Sequence, residues 1–209
     1  MNDTNQDASQ RDNGQRQAPA ADFRQDLSQA LDTLRKGGII LYPTDTVWGI
    51  GCDATNPEAV KRIYGLKQRA DSKAMIVMAD SPAMAERYVD EMPDVALQLM
   101  EVAVKPTTII YDQGIGLAPN LLAPDGSVGI RVTSEPFSAM LCRRLRRPLV
   151  STSANISGGS TPRFFNEIPD EIVSGVDYVV NYRRDDNTPH TPSSIIKLSN
   201  SGEVKIIRK

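Results

Sequence analysis

Short apolar runs punctuated by helix starts constrain this chain most. "IILY" (39–42), "AMIVMA" (74–79), "TTIIY" (107–111), "VGIRV" (128–132), "PLVS" (148–151) and "DYVV" (177–180) are too short for helices and rich in residues that suit strands. Helical signals stand between them. Phe23, Leu27, Ala30, Leu31 and Leu34 recur at helical spacing until Gly37 and Gly38 stop the pattern. "NPEAVKRIYGLK" (56–67) and "SPAMAERYV" (81–89) each open on a capping residue followed by proline, and 93–103 and 135–145 also read as helices. "SSIIKL" (193–198) and "EVKIIR" (203–208) predict a closing hairpin turned at Asn200, Ser201 and Gly202. The interleaving, without any repeat, predicts α/β architecture with a mixed sheet.

The 209 residues suit one domain with a sizeable core. Residues 1–20 carry almost no core-forming side chains and are expected to be a disordered polar tail, leaving 21–209 as the folded domain. That tail has no apolar segment of the signal-peptide kind, and no stretch approaches the roughly 20 apolar residues of a membrane span. The expected setting is the cytoplasm, without membrane contact. A net charge of −2 gives no overall field for a polyanion, so any basic site must be local. Cys52 and Cys142 are far apart with no zinc-type spacing, and a single histidine, His190, argues against a histidine-based triad. His190 reads as a surface residue of a Thr/Pro-rich loop.

Three polar stretches follow predicted strands or flank them, where ligands gather in α/β sheets. In "YPTDTVWGIGCD" (42–53), Thr44, Asp45 and Thr46 offer polar groups, and Gly49 and Gly51 permit close approach of backbone. A tight turn satisfied by its own side chains explains the same residues. In "GLKQRADSKAM" (65–75), Lys67, Arg69 and Lys73 suit several phosphate oxygens at once, or a helix end complementing its dipole. In "STSANISGG" (151–159), hydroxyls, an amide and glycines suit an anion-binding turn. Arg131 adds a guanidinium inside an otherwise apolar strand, where burial demands a partner. Together these features suggest an anionic substrate gripped by Lys67, Arg69, Arg131 and the 151–155 turn. No Walker or dinucleotide-binding signature is present.

"YPTDTVWGIG", the KxR of "LKQR", "SVGIRV", "PLVSTSANISG" and "PSSIIKL" resemble, in that order, the YrdC-like threonylcarbamoyl-AMP synthases, over about residues 24–208. The likeness is to the short, single-domain form. It implies an open twisted mixed sheet with flanking helices around a deep positive cavity. It also implies that L-threonine, bicarbonate and ATP yield threonylcarbamoyl-AMP and pyrophosphate, with Mg²⁺ carried mainly by the ATP phosphates. The product would pass to a threonylcarbamoyl transferase complex for t⁶A modification of tRNA.

Carried over residue by residue, the resemblance assigns Lys67 and Arg69 to the ATP phosphates as the catalytic pair. It places Lys73, Ser151, Ser153, Asn155, Thr161 and Arg208 on the nucleotide, and Thr46, Ser127, Arg131 and Ser193 on threonine. Two departures stand out. Ala74 occupies a position that is commonly proline in the family, and "KPTT" (105–108) lacks the family's usual glycine. Phosphoryl chemistry asks mainly for positioning and charge neutralisation, which cations and hydroxyls supply without a nucleophile.

Rival expectations are an RNA- or tRNA-binding module without catalysis, a YciO-like paralogue lacking the synthase activity, and carbamoyl-adenylate chemistry as in hydrogenase-maturation proteins. The basic run Arg143, Arg144 and Arg147 reads either as a solvated helix end or as a tRNA contact. Trp48, the one tryptophan, is expected in the core at the cavity wall.

Overall fold

The computed structural model describes residues 23–68 and 75–209; the expected N-terminal tail, Arg69, Lys73 and Ala74 lie outside them. The chain begins with α1 (Arg24–Arg35), β1 (Ile40–Tyr42), β2 (Gly49–Gly51), α2 (Pro57–Leu66) and β3 (Ile76–Ala79). It continues through α3 (Pro82–Glu86), α4 (Asp94–Val102), β4 (Thr107–Tyr111), β5 (Val128–Val132), α5 (Pro136–Leu145) and β6 (Leu149–Ser153). Last come α6 (Asp170–Gly175), β7 (Tyr178–Val179), β8 (Ser194–Leu198) and β9 (Val204–Arg208). The strands form one mixed sheet in the order β7-β1-β2-β6-β3-β5-β4-β8-β9.

Local chemistry accounts for these elements. Asn56 caps α2 by accepting from the Glu58 and Ala59 amides at 3.1 and 3.2 Å, with Pro57 behind it. Ser81 caps α3 in the same way, but that helix ends at Glu86 rather than at the expected 89, because Val89 is drawn into a bridge with Gly114. The hairpin β8–β9 is antiparallel, and its turn uses Gly202 at φ +85°.

The core lies between the sheet and its helices. Ile40, Leu41, Ile50, Ile63, Val77, Ile109, Phe137 and Val150 are almost wholly removed from water. Phe23, directly before α1, packs edge-on to Phe137 and tilted on Tyr182, which docks that helix over the sheet. Asp26 fastens that docking by accepting from the amides of Asn181 and Tyr182 and from the Tyr178 hydroxyl. Among the described residues, no helix is long and apolar enough to cross a membrane.

Two expectations need correcting. The 42–53 stretch is not a single loop: its Gly49–Gly51 portion is β2, antiparallel to both β1 and β6. Likewise β6 extends through Ser153, so Ser151, Thr152 and Ser153 belong to the strand and the turn begins after them. Both segments look irregular in sequence because small residues replace the bulky ones that usually mark strands. The close quarters of β2 demand them: a Cβ at Gly51 would stand 2.6 Å from the Tyr42 ring and 2.7 Å from the Val150 carbonyl.

Candidate active site

Side chains of opposed strand residues share a face of the sheet, so the register decides which residues meet. Gly49 opposes Ser153, Ser151 opposes Ile76, and Met78 of the same strand opposes Arg131. Arg131 opposes Thr108, which is level with Ile195, which opposes Arg208. One face from β2 to β9 therefore presents Gly49, Ser153, Ser151, Ile76, Arg131, Thr108, Ile195 and Arg208 in sequence. A cavity of about 290 Å³ opens on that face, and all of these residues except Thr108 line it. Thr46, Val47 and Trp48 form one wall, Thr161 stands at its rim, and Pro192 and Ser193 close the opposite side.

Of the residues singled out from sequence, Thr46, Arg131, Ser151, Ser153, Thr161, Ser193 and Arg208 meet in this cavity. Two guanidinium groups line it and no carboxylate does so among the described residues, so it favours anions. The Arg208 guanidinium is steadied by donating from Nε and Nη2 to the Ser193 carbonyl at 3.0 and 2.7 Å. Ser193 Oγ is 2.9 Å from Thr108 Oγ1, a buried hydroxyl pair beneath the cavity floor.

Arg131 is buried, as its place in an apolar strand requires, and it has the expected partner. Its Nη2 lies 3.1 Å from Asp45 Oδ1, with both side chains less than a tenth exposed. The contact is an ion pair out of hydrogen-bond alignment: among the described residues, Arg131 Nε and Asp45 Oδ1 have no hydrogen-bond partner. Burial pushes the Asp45 carboxyl above its ordinary range, and Arg131 and the Ser134 amide pull against that rise. The site thus holds a desolvated guanidinium with an unspent donor.

Lys67 and Asn155 stand just behind the cavity rather than in its lining. The Lys67 ammonium is buried and donates to the carbonyls of Ser153 and Asn155, the latter at 2.6 Å. The amide of Ser157 returns a bond to the Lys67 carbonyl at 2.8 Å. Asn155 organises the turn: its Nδ2 donates to the carbonyls of Ile156 and Gly159 at 2.8 and 2.9 Å, and its Oδ1 accepts from Ser153 Oγ. The carbonyls at the end of β6 need donors once the ladder stops, and a lysine ammonium supplies two bonds at once. Arg69 and Lys73 lie outside the described residues.

Ser127 is not brought to the cavity. It precedes β5, while Arg131 lies four residues along it, about 13 Å at strand rise. Its amide is instead held by Asp125 at 3.1 Å. Trp48 is both core and cavity wall, its ring 4.9 Å from that of Phe165. His190 is no plain surface residue: its Nε2 is 2.8 Å from Arg183 Nη2. Arg143 and Arg147 of the basic run pair with Asp80 and Asp53 at 3.2 and 2.7 Å. Cys52 and Cys142 are buried free thiols, and burial raises both above the ordinary thiol range.

Sequence reasoning passed over Thr152 and Met75, which also line the cavity. Thr152 sits inside the quoted "STSAN", and Met75 directly follows the basic loop, so proximity to those motifs was the available signal.

Comparison with known proteins places this arrangement. The Sua5/YciO/YrdC family model, described as "Telomere recombination", matches residues 32–209. A threonylcarbamoyl-AMP synthase of Stenotrophomonas maltophilia (strain K279a) is 36% identical over 159 residues, covering 74% of this chain and 85% of that protein. The crystal structure of E. coli YciO superposes with a TM-score of 0.75 at 27% identity, covering 88% of each chain. P. abyssi Sua5 complexed with L-threonine superposes at 0.73 with 24% identity, covering 82% of this chain and 50% of that one. The family model spans every described strand, and the chain belongs to the Sua5/YciO/YrdC family.

Proposed function

We propose that this protein is a threonylcarbamoyl-AMP synthase and, in reaction class, a nucleotidyltransferase. It joins L-threonine, bicarbonate and ATP, releases pyrophosphate, and supplies the activated threonylcarbamoyl group for t⁶A in tRNA. The observation that carries the reading is Arg131: a buried guanidinium in the lining of a cavity walled by hydroxyls and a second arginine. An amino-acid carboxylate completes that donor set, and a nucleotide phosphate suits the Arg208 side. Relatives of this length bear the synthase name, which supports the same assignment.

In this scheme the threonine amine adds to the carbon of CO₂ formed from bicarbonate and loses a proton, giving a carbamate. A carbamate oxygen then attacks the α-phosphorus of ATP, and the bond from that phosphorus to the bridging oxygen breaks as pyrophosphate leaves. Arg131, Thr46 and Ser193 hold threonine. Ser151, Ser153, Thr161 and Arg208 face the nucleotide, and Asn155 holds their turn in shape. Lys67, Arg69 and Lys73 are the cations that the family motif assigns to the phosphates. No group of three or more carboxylate, histidine or cysteine side chains able to hold a metal occurs among the described residues. That donor set fits Mg²⁺ carried by phosphate oxygens and water rather than a protein cage.

The test is pyrophosphate release in the presence of ATP and bicarbonate, with each amino acid supplied in turn. Release that depends on threonine is expected. Release indifferent to the amino acid, or none at all, overturns the reading in favour of a YciO-like or RNA-binding role.

A further inference from the structure

We infer that Arg183 is a positioning residue that clamps the amino-acid wall of the cavity from behind; the inference rests on the proposed synthase reading. The wall is the 43–48 segment between β1 and β2. Thr46, Val47 and Trp48 line the cavity, and the same three residues, with Pro43 and Thr44, border a small crevice on their reverse side. That crevice is closed by Arg183, Asp186 and His190, with Arg163 beside them.

Arg183 reaches the wall directly. Its Nη1 donates to the Thr44 carbonyl at 3.1 Å. Thr44 relays that hold to its neighbours: its Oγ1 donates to the Val47 carbonyl at 2.7 Å, accepts from the Thr46 amide at 3.0 Å and lies 3.1 Å from Thr46 Oγ1. The orientation of the Thr46 hydroxyl thus depends on a chain of contacts that begins at Arg183.

The guanidinium is itself locked. Its Nε and Nη2 lie 2.9 and 2.8 Å from Asp186 Oδ2, its Nη2 donates to His190 Nε2 at 2.8 Å, and Glu135 Oε1 is 3.8 Å away. Burial acts to raise the Asp186 carboxyl, but the Thr188 amide and hydroxyl and the Arg183 guanidinium outweigh it and hold the group well below its usual range. The next residue adds a second point of attachment. Arg184 donates to the carbonyls of Val180 and Val179 at 2.8 and 2.7 Å and lays its guanidinium 5.0 Å from the Phe165 ring centroid, and Phe165 packs on Trp48.

The backbone argues for a side-chain role at 183. Arg183 has φ +64°, a left-handed conformation that glycine adopts more readily. Arginine carries a backbone cost there that glycine would not. It brings five donors, and four of them go to the wall, to Asp186 and to His190.

The experiment uses Arg183→Gly, which relaxes the backbone while deleting the guanidinium, and Arg183→Lys as the conservative variant. Two readouts are taken. The first is KM for threonine and for ATP, with kcat, in pyrophosphate release. A rise of about tenfold in the threonine KM, the scale of one charge-assisted hydrogen bond, is expected with little change for ATP, and partial rescue by lysine. The second is acrylamide quenching of Trp48, the single tryptophan of the chain, which should increase in Arg183→Gly without ligands. Equal changes in both KM values, an unchanged threonine KM, or unchanged quenching each overturn the clamp. Wild-type protein without threonine-dependent turnover removes the synthase reading instead, and the quenching comparison then decides the clamp alone.

Discussion

The Lys67 ammonium lies 2.6 Å from the carbonyl oxygen of Asn155, 88 residues further along the chain. A cation that sequence places on a phosphate thus also ties the end of α2 to the end of β6. A charge-assisted bond to a buried carbonyl contributes to stability, and its loss leaves the acceptor unsatisfied. Lys67→Met should therefore lower the unfolding free energy by about 2 kcal/mol, read by urea denaturation. It should also slow pyrophosphate release by about 10²-fold in the folded protein. Full turnover in a destabilised variant would leave Lys67 a brace and nothing more.

Arg131 makes a second pair of effects separable. Removing one partner of a buried ion pair strands the other charge, so Arg131→Met should cost about 3 kcal/mol because Asp45 then stands alone. Adding Asp45→Asn to that variant removes the stranded charge and should recover most of the stability. It should not recover threonine-dependent release, because the donor to the carboxylate is still missing. Denaturation and turnover measured on the two single variants and the double variant form the cycle that separates fold from function. Recovery of both together would mean that Arg131 serves only its partner.

Much of this site is legible in sequence because strand register carries residues onto one face. Arg131 shows itself as the only charge in "VGIRV", and Ser151 and Ser153 share the parity that points them to the cavity. Other parts are hidden for physical reasons. "GIG" has only Ile50 to mark it as a strand, since the approach of Tyr42 and Val150 leaves no room for a side chain at Gly51. Ser127 and Arg131 belong to one quoted motif, yet a strand carries them to opposite ends. "RRDD" (183–186) carries no motif, and nothing local says that Arg183 turns inward to the carbonyl of Thr44.

Glu135 links electrostatics to pH. It caps α5 by accepting from the Ser138 amide at 2.7 Å, but its Oε1 has no hydrogen-bond partner among the described residues. Burial raises its carboxyl above the ordinary 4.5, against the pull of the Ser138 and Phe137 amides and Arg183. With the folded value above the unfolded one, the native state binds the proton more tightly. Its stabilising contribution is therefore complete below about 4.5 and is lost as pH rises through the folded value. Glu135→Gln keeps the cap and does not titrate. The variant's stability relative to wild type should rise with pH from 4.5 upward, as measured by denaturation at a series of pH values. A difference that stays flat or falls with pH would show that the carboxylate is well served by its neighbours.

The two glycines of β2 should respond differently to the same added methyl group. A Cβ at Gly51 would meet Tyr42 Cε1 at 2.6 Å and the Val150 carbonyl oxygen at 2.7 Å. Neither can yield: Tyr42 is fully buried with its hydroxyl 3.3 Å from that same carbonyl, and Val150 is held in β6. Overpacking of this kind is costly, and Gly51→Ala should lose about 3 kcal/mol. A Cβ at Gly49 meets Thr44 Cγ2 at 3.3 Å and Ser151 Oγ at 3.4 Å, contacts that small side-chain shifts relieve. Gly49→Ala should therefore fold with a loss below about 1 kcal/mol. Its methyl group points toward the cavity between Thr44 and Ser151, so turnover rather than stability should suffer. Thermal unfolding and pyrophosphate release on the pair decide the matter. Equal destabilisation would mean that β2 tolerates no side chain at either position and that the opening at Gly49 is merely a packing requirement.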